Sequence, residues 1–192
     1  MKNICVYCGS SPGNDPVYLQ KAGELGEALA LKKLTLVYGG GKYGLMGKVA
    51  DSSLGGGGRV LGVIPASLKD KELAHPGLTE LYVVKDMHER KAKMAELADS
   101  FIALPGGFGT LEEVMEMITW NQLGFQSKPV GFLNVNGYFD GLFTFLRRTT
   151  SGGFVKEGLV DALVFESDPG LLVDKMTGHP WPDLGHWPLK SH

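Results

Sequence analysis

The amino-acid sequence predicts an α/β fold, a single doubly wound layer of parallel strands with helices on both faces. Three observations predict it. Short β-branched runs alternate with longer helical runs along the chain, the pattern of βαβ units, and right-handed crossovers turn such units into a doubly wound sheet. The 28 glycines among 192 residues, about twice the usual share of roughly 7%, gather at apparent strand ends. Hydrophobic residues make up 43% and charged residues 21%, which fits a globular protein with a real core.

The elements follow in order. "NICVYCG" reads as a first strand, and "VYLQKAGELGEALALKK" from Val17 as an amphipathic helix. "LTLVY" is a second strand and Leu45 to Leu54 a second helix. "RVLGVIP" is a third strand, followed by a polar loop or short helix from Ala66 to Ala74. "ELYVV" precedes a helix from Met87 to Asp99, and "SFIALP" precedes one from Leu111 to Leu123. "PVGFLN" leads to a helix over Tyr138 to Thr149, and "ALVFE" to a last helix over Pro169 to Met176. Residues 1–177 form the predicted domain; residues 178–192, "GHPWPDLGHWPLKSH", form an irregular tail rich in Pro, Trp and His, expected to lie on the body. Its histidines lack a metal-ligand spacing.

Charge and composition narrow the function. The formal net charge of −2, without a long basic block, points away from nucleic acid. No stretch approaches the roughly 18 uninterrupted apolar residues of a membrane helix, and the apolar start is too short for a signal peptide. Cys5 and Cys8 have redox-motif spacing but fall within a strand on opposite faces, which reads as buried thiols in a reducing cytoplasm.

Ligands of such folds bind at the carboxyl ends of the strands, where three glycine turns lie: "CGSSPG", "YGGGKYGLMG" and "LPGGFGT". Gly39, Gly41 and Gly44 match G-x-G-x-x-G, but the next strand ends "GVIPAS" without the acid a dinucleotide ribose requires. Gly47-Lys48 is followed by Val49, so this is no Walker A loop either. An anion cradle and a tight packing turn both remain open there. In the third turn, Thr110 and Glu113 fit a capping box, with Thr110 as N-cap. That explains neither the crowding of Gly106, Gly107 and Gly109 nor the collection of Glu112, Glu113 and Glu116 at one helix start. In "DMHERKAKMAELAD", Arg90 and Lys91 fall inside the apolar stripe of Met87, Met94, Leu97 and Ala98. Such charges either snorkel to solvent or border a cleft and meet an anion or a carboxylate.

With "GGGKYGLMG", "MHERK" and "PGGFGTLEE" in this order, the chain resembles the LOG (Lonely Guy) family, cytokinin riboside 5′-monophosphate phosphoribohydrolases whose relatives carry an older lysine-decarboxylase-like label. The resemblance extends from Lys2 to Met176 and includes "ITWNQLG" and "KPVGFLNVNGYFDGL". It implies a Rossmann-like fold, a homodimer, and hydrolysis of the base–ribose bond of a nucleoside monophosphate, without metal or organic cofactor. The P-G-G-x-G-T-x-x-E motif falls on Pro105, Gly106, Gly107, Gly109, Thr110 and Glu113, with Phe108, Leu111 and Glu112 between. The Arg-Lys pair falls on Arg90 and Lys91. The resemblance makes Arg90 and Glu113 the catalytic pair and adds Glu72 and Thr119 to the substrate contacts. Glu72 lies in "KDKELAHPG", which departs from the family's usual surroundings. Gly39, Gly40, Gly41, Gly44, Met46 and Gly47 are expected to form the opposite wall. The resulting expectation places the phosphate on the N–H groups of Gly107 to Thr110 and Glu113 against the ribose. The alternative is a non-catalytic carrier of a nucleotide or of molybdenum cofactor, which would use the same turns without turnover. Pyridoxal phosphate is rejected, since no Schiff-base lysine with a pyridinium partner is marked.

Overall fold

A computed structural model describes residues 1–69, 71 and 73–182. Seven strands, β1 (Asn3–Tyr7), β2 (Thr35–Tyr38), β3 (Val60–Pro65), β4 (Glu80–Val84), β5 (Ser100–Ala103), β6 (Val130–Leu133) and β7 (Val164–Glu166), form one sheet. Every neighbouring pair is parallel, and the order is β4-β3-β2-β1-β5-β6-β7. β1, β2, β3, β5 and β6 are almost wholly buried, as expected for strands covered on both faces, and read as short, mostly apolar runs.

The side chains of each strand alternate between two cores. On one face α1 (Pro16–Leu31), α2 (Gly44–Gly55) and α7 (Pro169–Gly178) close over Ile4, Val6, Leu36 and Ile102. On the other, α4 (Met87–Leu97) and α5 (Phe108–Gln122) cover Cys5, Val37, Phe101 and Phe132. Cys5 and Cys8 therefore sit in different cores as free thiols. Burial pushes both thiols well above their ordinary range, so neither is a ready nucleophile. Helix starts carry the expected chemistry. Asp15, Asp86 and Asp168 accept backbone N–H bonds from α1, α4 and α7, and Pro opens α1 and α7.

The Ala66–Ala74 segment opens with a short helix, α3 (Ala66–Lys69), one of the two forms read from the sequence, and Ala74 bridges Gly41 antiparallel. Two helix starts differ from the sequence reading by two residues or more. The helix expected from Tyr138 begins at Asp140 as α6 (Asp140–Ser151), because a 3₁₀ turn over Val135–Gly137 precedes it, with Asn136 and Gly137 at positive φ. Most consequential, α5 starts at Phe108, and its N-cap is Gly107, at φ −94 and ψ −152. Thr110 lies inside the first turn and the expected capping box does not form. Its side chain folds back over Gly106, where a Cβ would stand 2.2 Å from Thr110 Oγ1.

The sequence of strands reverses direction between β1 and β5. That is the topological switch point, and the crevice above its carboxyl end is where open α/β sheets bind ligands. The tail's first residues run under the opposite end of the sheet, with Trp181 buried in the second core; residues 183–192 lie outside the described residues.

Candidate active site

α4 and α5 meet over the second core and bring two opposite charges together inside it. Arg90 and Glu113 are 8% and 7% exposed. Arg90 Nη1 donates to Glu113 Oε1 at 3.0 Å and Arg90 Nε donates to the Val63 carbonyl at 3.2 Å. The apolar stripe of α4 thus carries its arginine inward to a carboxylate rather than outward to water. Space for the guanidinium comes from Gly39, at the end of β2: a Cβ there would stand 1.7 Å from Arg90 Nη2. Burial raises the Glu113 pKa above its ordinary value, and Arg90 opposes that rise without cancelling it. One helical step along, Lys91 pairs with Glu112 and Glu116. Burial alone would lower the Lys91 ammonium, but these two carboxylates outweigh it and hold the pKa raised.

The turn above this pair is open and rich in glycine. Gly107, Phe108 and Gly109 are exposed at the start of α5, and among the described residues no side chain caps that start. A Cβ on Gly107 or on Gly109 would meet nothing within 4 Å. Glycine here keeps open space in front of N–H groups at a helix N-terminus, rather than relieving a clash within the protein.

The other glycine turn has a different task. The Gly9 carbonyl accepts from Leu45 N at 3.1 Å and Met46 N at 3.3 Å, so the first donors of α2 already have a protein partner. Gly44 has φ +60 and lies against Ser10, where a Cβ would come within 2.4 Å of the backbone; a Cβ on Gly47 would lie 2.2 Å from the Lys42 carbonyl. Packing accounts for these two glycines. Of the readings left open for this turn, the tight-packing one describes them.

Between the turns lies a cavity of ≈ 880 Å³. Gly39, Gly41, Met46, Arg90, Gly107, Phe108, Gly109, Thr110, Glu112 and Glu113 line it, which brings ten of the sequence-named residues to one place. Gly40, Gly44, Gly47, Gly106, Leu111 and Lys91 stand behind that lining as backbone turns, core contact or ion-pair partner. Thr119 is elsewhere: it is exposed further along α5, and its hydroxyl donates to the Met115 carbonyl at 2.8 Å. Glu72 lies outside the described residues. Ser10, Lys42, Tyr43, Leu68 and Leu73 also line the cavity and were not singled out from sequence, and Met87, read there only as part of the α4 stripe, lines it too. Lys42 and Tyr43 occupy the unspecified positions of G-x-G-x-x-G, and Ser10 belongs to the "CGSSPG" turn, so position relative to the glycines was the available signal. Leu68 and Leu73 carried none.

Among the described residues no group of three or more His, Cys, Asp or Glu could hold a metal ion. Lys91 is held charged by two carboxylates, the reverse of the lowered pKa that a Schiff-base lysine needs. Lys42 sits in the cavity wall with its ammonium 5.3 Å from the Tyr43 ring centroid.

Residues 46–176 match the family described as possible lysine decarboxylase. Two cytokinin riboside 5′-monophosphate phosphoribohydrolases of Arabidopsis thaliana are similar over most of the chain. One is 53% identical over 80% of this chain and 71% of its own length. The other is 47% identical over 93% of this chain and 78% of its own. Among solved structures, the molybdenum cofactor binding protein of Rippkaea orientalis superposes with a TM-score of 0.71, at 23% identity over 93% of this chain and 97% of that one. The Moco carrier protein of Chlamydomonas reinhardtii gives a TM-score of 0.70 at 21% identity, over 92% of this chain and 98% of that one. At such identities these two likenesses bear on the fold alone.

Proposed function

Because the chain belongs to the LOG family of cytokinin riboside 5′-monophosphate phosphoribohydrolases, whose older description is possible lysine decarboxylase, we propose that it hydrolyses the N-glycosidic bond of adenosine 5′-monophosphates, including N6-modified ones. The products are the free base and ribose 5-phosphate. The observation that carries the reading is the buried Arg90–Glu113 pair, 3.0 Å apart, below an uncapped helix start in one cavity.

The chemistry follows from that placement. Breaking the bond between the base nitrogen and C1′ leaves the electron pair on the base and positive charge on the ribose, as in the oxocarbenium-like state of glycosidases. Glu113, ionised beneath the sugar, stabilises that charge and orients the water that adds to C1′. The water's proton passes to the Glu113 carboxylate and from there, through solvent, to the departing base, which restores the carboxylate. Arg90 keeps Glu113 ionised and aimed. The 5′-phosphate lies on the N–H groups of Gly107 to Thr110, and the apolar wall of Met46, Ile64, Leu68, Leu73 and Met87 takes the base. Repulsion between phosphate and the nearby acids is limited, because Glu112 and Glu116 are paired with Lys91 and Glu113 with Arg90.

Two further properties belong to this reading. The protein works as a homodimer, which would cover exposed aromatic surface beside α5. It resides in the cytoplasm, in keeping with its free buried thiols; among the described residues no helix is long and apolar enough to cross a membrane.

The test is an assay of the purified protein with AMP and with isopentenyladenosine monophosphate, reading free base by chromatography. Both are expected to release it. No base from either at high enzyme concentration, with nucleotide binding retained, would mean that the protein is a carrier.

A further inference from the structure

The Pro105–Gly107 turn presents donors to an anion only if its carbonyl oxygens point elsewhere. One is accounted for within β1's own turn: Gly9 N donates to the Pro105 carbonyl at 3.1 Å. The Gly107 carbonyl accepts from Leu111 N at 3.2 Å as α5 begins, and the Gly106 carbonyl is taken by a residue outside the glycine motifs. Tyr138 Oη donates to the Gly106 carbonyl at 2.7 Å. Gly107 lines the cavity, whereas Gly106 and Tyr138 do not. The Gly106–Gly107 peptide is trans, so its N–H is antiparallel to its C=O. A carbonyl held outward by Tyr138 therefore turns the Gly107 N–H inward, to the place proposed for the phosphate.

The surroundings hold this hydroxyl in place. Tyr138 follows the 3₁₀ turn whose left-handed residues, Asn136 and Gly137, bring the chain from β6 to the carboxyl end of the sheet. Asn134 accepts from Phe139 N at 2.7 Å and donates to Asp140 at 2.7 Å, fixing the turn on both sides of the tyrosine. The ring packs edge-on against Tyr18, with centroids 5.8 Å apart, and against Phe139 at 5.0 Å. An exposed tyrosine with its ring clamped and its hydroxyl on a glycine carbonyl is a fixed strut. A free glycine peptide could instead flip and face the anion with its oxygen.

We infer that Tyr138 is a positioning residue for the 5′-phosphate, acting through the Gly106–Gly107 peptide; the inference rests on the phosphate assignment made above. The test compares the full-length wild type with Tyr138→Phe, which removes the hydroxyl and keeps the ring. With AMP, kcat/KM is expected to fall roughly tenfold, mainly through KM. Inhibition by inorganic phosphate should weaken by a similar factor. With adenosine the two proteins should be equal, and melting temperatures should agree. A loss shared equally by AMP and adenosine would make Tyr138 merely structural, and an unchanged kcat/KM for AMP would remove its role; either overturns the inference. A wild type that does not distinguish AMP from adenosine overturns the phosphate assignment itself, and this inference with it. That outcome is read before the variant is made.

Discussion

At the scale of single residues, the Arg90–Glu113 pair makes the sharpest claims. Glu113→Gln keeps the shape and can still accept from Arg90. Because α5 is not capped by Glu113, this carboxylate has no capping role to confuse the result. The variant should melt near wild type while kcat for AMP falls about 10²–10⁴-fold; undiminished turnover would leave the mechanism without its central group. The same residue sets a pH dependence. Burial raises its pKa above the ordinary carboxylate value, so the native state binds this proton more tightly than the unfolded chain. Through this group, stability rises as pH falls from the native pKa toward that of the unfolded chain. In the proposed mechanism activity needs the charged form and moves the opposite way, so kcat/KM should fall on the acid side, at a pH above that of an ordinary glutamate, while the protein stays folded. Arg90→Ala removes the neighbour that opposes the rise, and should shift that limb to still higher pH. A limb that does not move would exclude Glu113 as the titrating group. Gly39→Ala tests the geometry, because the new methyl would occupy the position of Arg90 Nη2. It should displace the guanidinium and cost about 1–3 kcal/mol by overpacking, measured by chemical denaturation beside the loss of kcat.

At the scale of the element, the first turn of α5 should separate stability from affinity. Gly107→Ala and Gly109→Ala add a methyl where the protein leaves open space, so neither should lower the melting temperature. Both should raise KM for AMP by crowding the phosphate. Wild type should in turn prefer AMP to adenosine about a hundredfold or more, since two charge-assisted bonds are worth at least about 3 kcal/mol. A loss of stability with unchanged KM would make these glycines packing residues. This helix also marks how far the sequence could be read. The alternation of strands and helices is legible because the five inner strands are buried on both faces and α1, α2, α4, α5 and α7 each bury one face. Arg90 is legible because a charge inside an apolar stripe must find a partner. The start of α5 is misread, because a Thr-x-x-Glu spacing carries a strong local signal, and the competing preference of Gly107 for the cap and of Glu113 for Arg90 is set by tertiary contacts. The lining at Ser10, Lys42 and Leu73 depends on how distant turns converge, which no local period encodes.

At the scale of the whole molecule, the proposed homodimer is tested through exposed aromatic surface. Phe108 is 94% exposed and Phe125 74% exposed, at the two ends of α5. A second copy of the chain would cover such a surface, and light scattering at micromolar protein should give twice 20.7 kDa. A monomer mass would count against the homodimer. The sheet order has a further consequence, this one in time. β1 is central, yet one of its neighbours, β5, lies far along the chain, with Ile4 registered to Ser100. During synthesis β1 to β4 can assemble first, with β1 left as an open edge until β5 arrives. Arg90 precedes β5 and Glu113 follows it, so a nascent chain holds the cation before its counter-charge exists. Recovery of activity on refolding should therefore lag behind recovery of helix and strand signals, by the interval that closing this long loop requires.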